Sequence, residues 1–168
     1  RARAAYLPAY RIETFTRVPD ALLAPLCACM SRVESDAPSG ELEWEEEALT
    51  PERLRGFAEL DEHVGRLRIT SVAREAESGE VVGYTELFII GGTTKALQSG
   101  TFVVSEHRGH RLGLGLKVAN LVALQTYRPD AVEIFSINNA ENTWMVAVNE
   151  ELGFEPVELV GQFYRQLP

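Results

Sequence analysis

The chain has 168 residues, of which 45% are hydrophobic and 24% charged, and a net charge of −9. That is one domain's worth of chain with an ordinary globular composition, long enough to bury a sizeable core. No apolar run is long enough to span a bilayer and no charged-then-apolar signal segment is visible. The acidic excess would repel the phosphates of a nucleic acid.

In chain order, residues 1–9, with Arg1, Arg3 and Pro8, read as a linker or arm. Tyr10 to Phe15 alternates as a first strand. After Asp20 the apolar pattern is helical to about Val33, and Pro25 fits only if it lies in the first turn. Cys27 and Cys29, two apart in that pattern, point to different sides. They read as core thiols, and no Cys/His cluster with metal-ligand spacing accompanies them. A reducing cytoplasm is the expected home. The chain opens on Arg1 without an initiator Met, so we expect a processed or excised piece of something longer.

Residues 35–40 form a loop, and Thr50-Pro51-Glu52 starts a second helix, with Thr as cap and Pro at the first helical position. That helix should carry Leu54, Phe57, Ala58 and Leu60 inward. Between Glu34 and Glu62, eleven acidic residues face only Arg53 and Arg55, an excess equal to the net charge of the whole chain. The plain reading is a solvated acidic loop and helix face. The functional one is attraction for a cationic acceptor.

From Gly65 the pattern turns to strands. Arg66 to Val72 and Val81 to Ile90, joined through Glu77-Ser78-Gly79-Glu80, read as an antiparallel hairpin. A strand over Ser99 to Val104 leads into a helix over 112–126. Ala131 to Ser136 is a short strand. Asn138 to Asn142 turns into a helix ending at Leu152, with Gly153 as its left-handed stop. Phe154 to Val160 and Phe163 to Arg165 read as a closing strand pair.

The stretch from Ser99 to Lys117 carries the chemistry. Strand, Gly-rich turn and helix start make an anion cradle, because the first amides of a helix lack intrahelical partners and sit at the positive end of its dipole. Arg108 and Arg111 add full charges. A Walker A loop fails, since Gly115 is followed by Leu116; the dinucleotide fingerprint fails because its third glycine falls on Val118.

Arg108-Gly109-His110-Arg111-Leu112-Gly113 resembles instead the acyl-CoA signature of the GNAT superfamily of N-acetyltransferases, Arg/Gln-x-x-Gly-x-Gly/Ala. Arg111 stands where the middle glycine is usual. The segment from Asn142 through Asn149-Glu150-Glu151-Leu152-Gly153-Phe154 resembles the family's Asn-to-Tyr-x-x-x-Gly-Phe segment, and the element order matches along nearly the whole chain. The resemblance implies an α/β (α+β) GNAT fold over residues 10–168, with a mixed, mostly antiparallel central sheet of six to seven strands flanked by about four helices. The fuller strings look closest to tandem two-domain GNAT proteins of the mycothiol synthase type, so the chain is expected to be one half of such a protein.

It further implies binding of acetyl-CoA as co-substrate and acetyl transfer to a primary amine by direct attack in a ternary complex. The pantetheine arm would pair with Phe102, Val103 and Val104. The pyrophosphate would sit on amides from Gly109 through His110, Arg111 and Leu112 to Gly113, helped by Arg108 and Arg111. Asn142 would contact the pantetheine or departing thiol, or cap the helix, or both. Lys117 reads as a solvated lysine that is able to reach a phosphate.

Many relatives use a Tyr near the position of Asn149 to protonate the thiolate. Asn149 is no acid, but its amide can hydrogen-bond thiolate or substrate. Gln98 lies near the usual Glu base and cannot be one. Glu86, sharing a face with Tyr84 and Phe88, is the nearest strand carboxylate; an exposed edge-strand glutamate is its plainer reading. His107 and His110 read as surface or phosphate-side residues. The acceptor is expected to be a small amine, a cationic one on the functional reading of the acidic segment, with a second GNAT domain or a second copy of the chain as partner. The alternative function is a GNAT-fold module that binds acyl-CoA or docks a partner without turnover.

Overall fold

The structure is a computed structural model and describes residues 8–33, 49–161 and 165. The elements run β1 (Tyr10–Phe15), α1 (Asp20–Ser31), α2 (Pro51–His63), β2 (Arg66–Glu75), β3 (Val81–Ile90), β4 (Lys95–Val103), a 3-10 turn (Ser105–His107), α3 (Leu112–Tyr127), β5 (Glu133–Ser136) and α4 (Thr143–Glu151). The five strands lie side by side in chain order. The first three pairings are antiparallel and the last, β4 with β5, is parallel, with α3 supplying the crossover. No helix among the described residues is long and apolar enough to cross a membrane.

Period-two alternation along β2 sends adjacent residues into different layers. Val72 packs with Leu26, Cys29, Tyr84 and Phe102 under α1. Ala73, one residue on, packs with Tyr10, Val82, Leu112 and Leu116 under α3. Farther along α3, Leu124 joins Ile69, Leu87, Ile89 and Ala96. One sheet therefore serves two cores, with α1 and α2 on one face and α3 on the other. Cys27 and Cys29 are both buried free thiols, and burial pushes Cys29 up to about 12.

Several expectations change. Pro25 sits inside α1 rather than in its first turn, so one intrahelical hydrogen bond is lost in exchange for burying Leu23, Leu26, Cys27 and Cys29. On α2, Thr50 caps Arg53 N at 3.3 Å as expected, but Phe57 and Leu60 stay 39% and 48% exposed. The residue α2 buries is Asp61. The helix stands off the sheet and leaves a pocket of about 560 Å³ between them.

The closing strand is not formed over 154–160, where Val157, Leu159 and Val160 are 80%, 94% and 71% exposed. The sheet thus has five strands among the described residues, not six or seven. A strand needs a partner ladder, and the expected one, with Phe163 and Tyr164, lies largely outside the described residues, as does the acidic loop 34–48.

Candidate active site

The site begins where two strands part. β5 pairs with β4 only over Lys95 to Gln98 and ends at Ser136. β4 continues to Val103 against β3 alone. Between Thr85 and Leu87 the β3–β4 register shifts, so that Glu86 opposes both Ser99 and Gly100. Such a bulge bends its strand, and here it bends β4 at the point where β5 leaves it. The opening is a cleft of about 350 Å³, lined by residues 97–101 of β4, Lys117 of α3, and Asn138, Asn139, Asn142 and Met145 beyond β5.

Backbone groups on the open edge of β4 are offered to this cleft. Val104 N donates to Val82 O at 3.0 Å, so alternation turns Val103 and Thr101 the other way. Of the trio Phe102, Val103 and Val104, only Val103 presents its backbone outward. Its carbonyl accepts from Arg108 Nε at 3.0 Å. Phe102 is buried beneath α1, and the Arg108 guanidinium lies 5.9 Å over its ring.

Beyond Val103 the chain turns through Ser105–His107, and Gly109 takes φ +84°. Arg111, the N-cap of α3, is left-handed at φ 57°, ψ 23°. This is the position where the resemblance puts glycine, and the backbone keeps glycine's conformation with an arginine in place. Gly115 N donates to Arg111 O at 3.0 Å and opens the helical ladder, so the amides of Leu112, Gly113 and Leu114 are those of an open first turn. A Cβ at Gly113 would meet nothing within 4 Å, leaving room for an anion. Leu112 holds the turn down with its buried side chain and offers only its amide. The Arg111 guanidinium is ion-paired to Glu151 of α4 rather than folded over these amides. His107 Nδ1 bonds Tyr10 Oη at 3.1 Å, and the His110 ring lies 5.3 Å from the Tyr10 ring. Both histidines thus fasten the loop to β1.

Gln98, in the cleft wall, belongs to a buried polar network that runs back into the sheet. Ser71 Oγ donates to Asn120 Oδ1 at 2.6 Å, and Asn120 Nδ2 donates to Ile69 O at 3.2 Å. Gln98 Nε2 donates to Thr85 Oγ1 at 2.8 Å and to Glu86 O at 2.7 Å, tying the side chain across the bulge. Gln98 Oε1 is buried without a partner. An orphaned acceptor beside a cleft marks a place for a donor from a ligand or water.

Sequence reasoning misplaced Lys117. It is 1% exposed, not solvated. Its Nζ donates to Asn149 Oδ1 at 2.5 Å and lies 5.8 Å over the Phe154 ring. Burial lowers it to about 8. Asn149 is therefore occupied by the lysine and is absent from the cleft lining; the group that reaches the cleft is Lys117. A signal was present, since Lys117 is the one charge in the sequence from Leu112 to Tyr127. Asn142 caps α4 by accepting from Met145 N at 3.2 Å. Its Nδ2 has no protein partner among the described residues.

Glu86 lies on the other face of the sheet. β3 is a central strand, so the exposed edge-strand reading does not hold; the side chain is 16% exposed and accepts from Arg68 Nη1 at 3.2 Å and Thr70 Oγ1 at 3.3 Å. It lines the pocket under α1 and α2. Tyr84 shares its face, and burial pushes that phenol up. The four carboxylates lining this pocket are all paired: Asp20 with Arg55, Asp61 with Arg66 and Arg68, Glu62 with Arg17, and Glu86 with Arg68. The described wall is close to neutral.

Neither a family model nor a curated protein sequence matches the chain. Solved structures do. A tandem GNAT protein from the clavulanic acid biosynthesis pathway, without AcCoA, aligns with a TM-score of 0.71 at 30% identity, over 89% of this chain and 43% of that one. An aminoglycoside acetyltransferase from an uncultured soil metagenomic sample, in complex with trehalose, aligns at 0.69 and 13% identity, over 97% and 99%. AAC(6')-Iy in complex with the bisubstrate analogue CoA-S-monomethyl-acetylneamine aligns at 0.62 and 18%, over 94% and 98%. The chain has the GNAT fold. It spans less than half the length of the tandem protein.

Proposed function

We propose that the chain is an acetyl-CoA-dependent N-acetyltransferase that passes the acetyl group directly to a small primary amine. The observation that carries this reading is the parting of β4 from β5, which opens on one side into an amide-rich start of α3. Acetyl-CoA, when bound, supplies an activated acetyl thioester within the cleft. The outward backbone of Thr101 and Val103 would hold its pantetheine arm as an added strand does. The amides of Leu112 to Leu114 would hold its pyrophosphate, with Arg108 beside them. Gln98 Oε1 and Asn142 Nδ2 offer one acceptor and one donor to the amide groups of the arm.

The acceptor would enter from the pocket under α1 and α2, where Glu86 is the carboxylate nearest the bulge. The support for a cationic acceptor is the run of seven acids from Glu34 to Glu47. The tandem relative supports reading residues 10–168 as a single GNAT domain that forms half of a longer protein. Two observations favour the non-catalytic alternative: Glu86 is tied to Arg68, and Asn149 stands where a tyrosine acid is usual.

The test is a thermal-unfolding scan with acetyl-CoA. At a hundred times the dissociation constant the ligand adds roughly 2.7 kcal/mol, or several degrees at this size. The shift should vanish in Gly113→Trp, which fills the cradle. Positive binding then licenses a screen of amines for released thiol. No shift at millimolar acetyl-CoA would reject the reading.

A further inference from the structure

Lys117 is a cation placed where the cofactor reading has no use for a structural one. Its ammonium has three N–H groups, and among the described residues one finds a protein acceptor, Asn149 Oδ1. Among the described residues no carboxylate bonds to it. On α4, Glu151 pairs with Arg111 and Glu150 is exposed; on the strands, Arg68 pairs with Glu86 and Arg66 with Asp61 on the other face of the sheet, Arg74 with Glu13, and Lys95 with Glu133. From β4 it faces Gln98 and Thr101, both neutral, across the cleft. A buried charge without a counter-ion costs stability, and evolution of a plain core would put leucine there.

We propose that Lys117 is the catalytic acid of the acetyl transfer, positioned by Asn149, and that it protonates the departing CoA sulfur. This rests on the acetyl-CoA reading of the cleft. The acceptor's nitrogen lone pair forms the C–N bond, and the C–S bond breaks with its electron pair going to sulfur. The Lys117 ammonium gives its proton to that sulfur and becomes a neutral amine. The acceptor nitrogen loses its extra proton, which returns to Lys117 through water, so the products are the amide and the free thiol. Burial favours this role twice: the lysine gives up its proton more readily than a solvated one, and a thiolate beside it meets an unscreened positive charge. Asn149 holds the amine end in place but contacts no substrate.

The experiment needs no acceptor. CoA is bound to the protein and its thiol titrated by the ultraviolet absorbance of the thiolate, in the parent, Lys117→Met and Lys117→Arg, with acetyl-CoA binding followed by thermal shift. The parent should titrate bound CoA at least about one unit below free CoA, a tenfold or larger stabilisation of the thiolate. Lys117→Met should lose that shift yet still bind acetyl-CoA, and Lys117→Arg should retain a lowered thiol because the charge remains. A parent that binds CoA with an unshifted thiol overturns the inference and leaves the acetyl-CoA reading standing. A parent that binds neither CoA nor acetyl-CoA overturns both. If Lys117→Met does not fold, the parent titration decides alone, because a strut between α3 and α4 would not move a ligand's thiol.

Discussion

Arg111 offers the sharpest test of the local physics. Its backbone is left-handed, which costs an L-residue roughly 1–2 kcal/mol, and glycine would release that strain. Two terms oppose the gain. Glycine enlarges the conformational freedom of the unfolded chain by about 0.4–1 kcal/mol, and the Arg111–Glu151 pair, with side chains 46% and 52% exposed, is worth at most about 1 kcal/mol. Comparing Arg111→Gly with Arg111→Ala cancels the ion pair, because both lose it. What remains is the strain relieved less the added freedom, close to 0.5–1 kcal/mol in favour of glycine. For a domain of this size that is about 2–4 °C per kcal/mol in Tm. Calorimetry or urea unfolding of the two variants decides it. If alanine is as stable as glycine, the left-handed conformation at Arg111 is not what the backbone adopts, and the account of the cradle fails with it.

The remaining predictions are independent of that one. Asn142→Ala should cost about 1 kcal/mol of stability by removing the α4 cap, whereas Asn142→Asp should keep the cap and weaken acetyl-CoA binding; equal binding by both parent and Asp variant would confine Asn142 to capping. Asp61→Asn should destabilise by about 3 kcal/mol, since it leaves Arg66 without its buried carboxylate and Arg68 with Glu86 alone, and a change within error would show that this cluster contributes little. The Lys117 side chain titrates near 8 when folded and near 10.5 when unfolded. Between those values the unfolded state binds more protons, so stability should rise with pH there, by no more than about 1.4 kcal/mol per unit. Urea unfolding of the parent minus Lys117→Met, followed from pH 8 to 10.5, should show that slope; a flat difference would mean the lysine is solvated.

What was legible in the sequence was local. Strand, turn and helix from Ser99 onward follow from β-suited residues, a polar break and an apolar stripe, and each is decided within a few residues. Thr50-Pro51 and Asn142 announce helix starts because a cap is a contact between near neighbours. The same logic failed where the partner is distant. Lys117 reads as solvated until α4 and Phe154 close over it. Arg111 reads as a phosphate reader until Glu151, forty residues on, takes its guanidinium. Phe57 and Leu60 read as core because periodicity cannot say that a helix stands off its sheet across a pocket. The closing strand failed for a related reason, since alternation along 154–160 describes a strand's face and says nothing of whether a neighbouring edge is there to pair.

The bulge at Glu86 links the two sides of the site. Glu86 sends its carboxylate to the pocket under α1 and α2, while its own carbonyl accepts from Gln98, whose side chain lines the cleft on the opposite face. One extra residue in β4 thus brings a carboxylate-bearing wall and the cleft beside β5 to the same stretch of backbone. A sheet without the bulge would keep the ladder intact and β4 straight, and the cleft would close. The buried network of Ser71, Asn120, Thr85 and Gln98 has a physical reason in this setting. It satisfies the backbone and side-chain groups that the bulge disrupts, and leaves Gln98 Oε1 over. Gln98→Leu should therefore cost about 1–3 kcal/mol, because the Glu86 carbonyl loses its donor, a loss only partly offset by removal of the orphaned acceptor. Acetyl-CoA affinity should fall as well, and a variant that loses stability while binding undiminished would show that Gln98 serves the bulge alone.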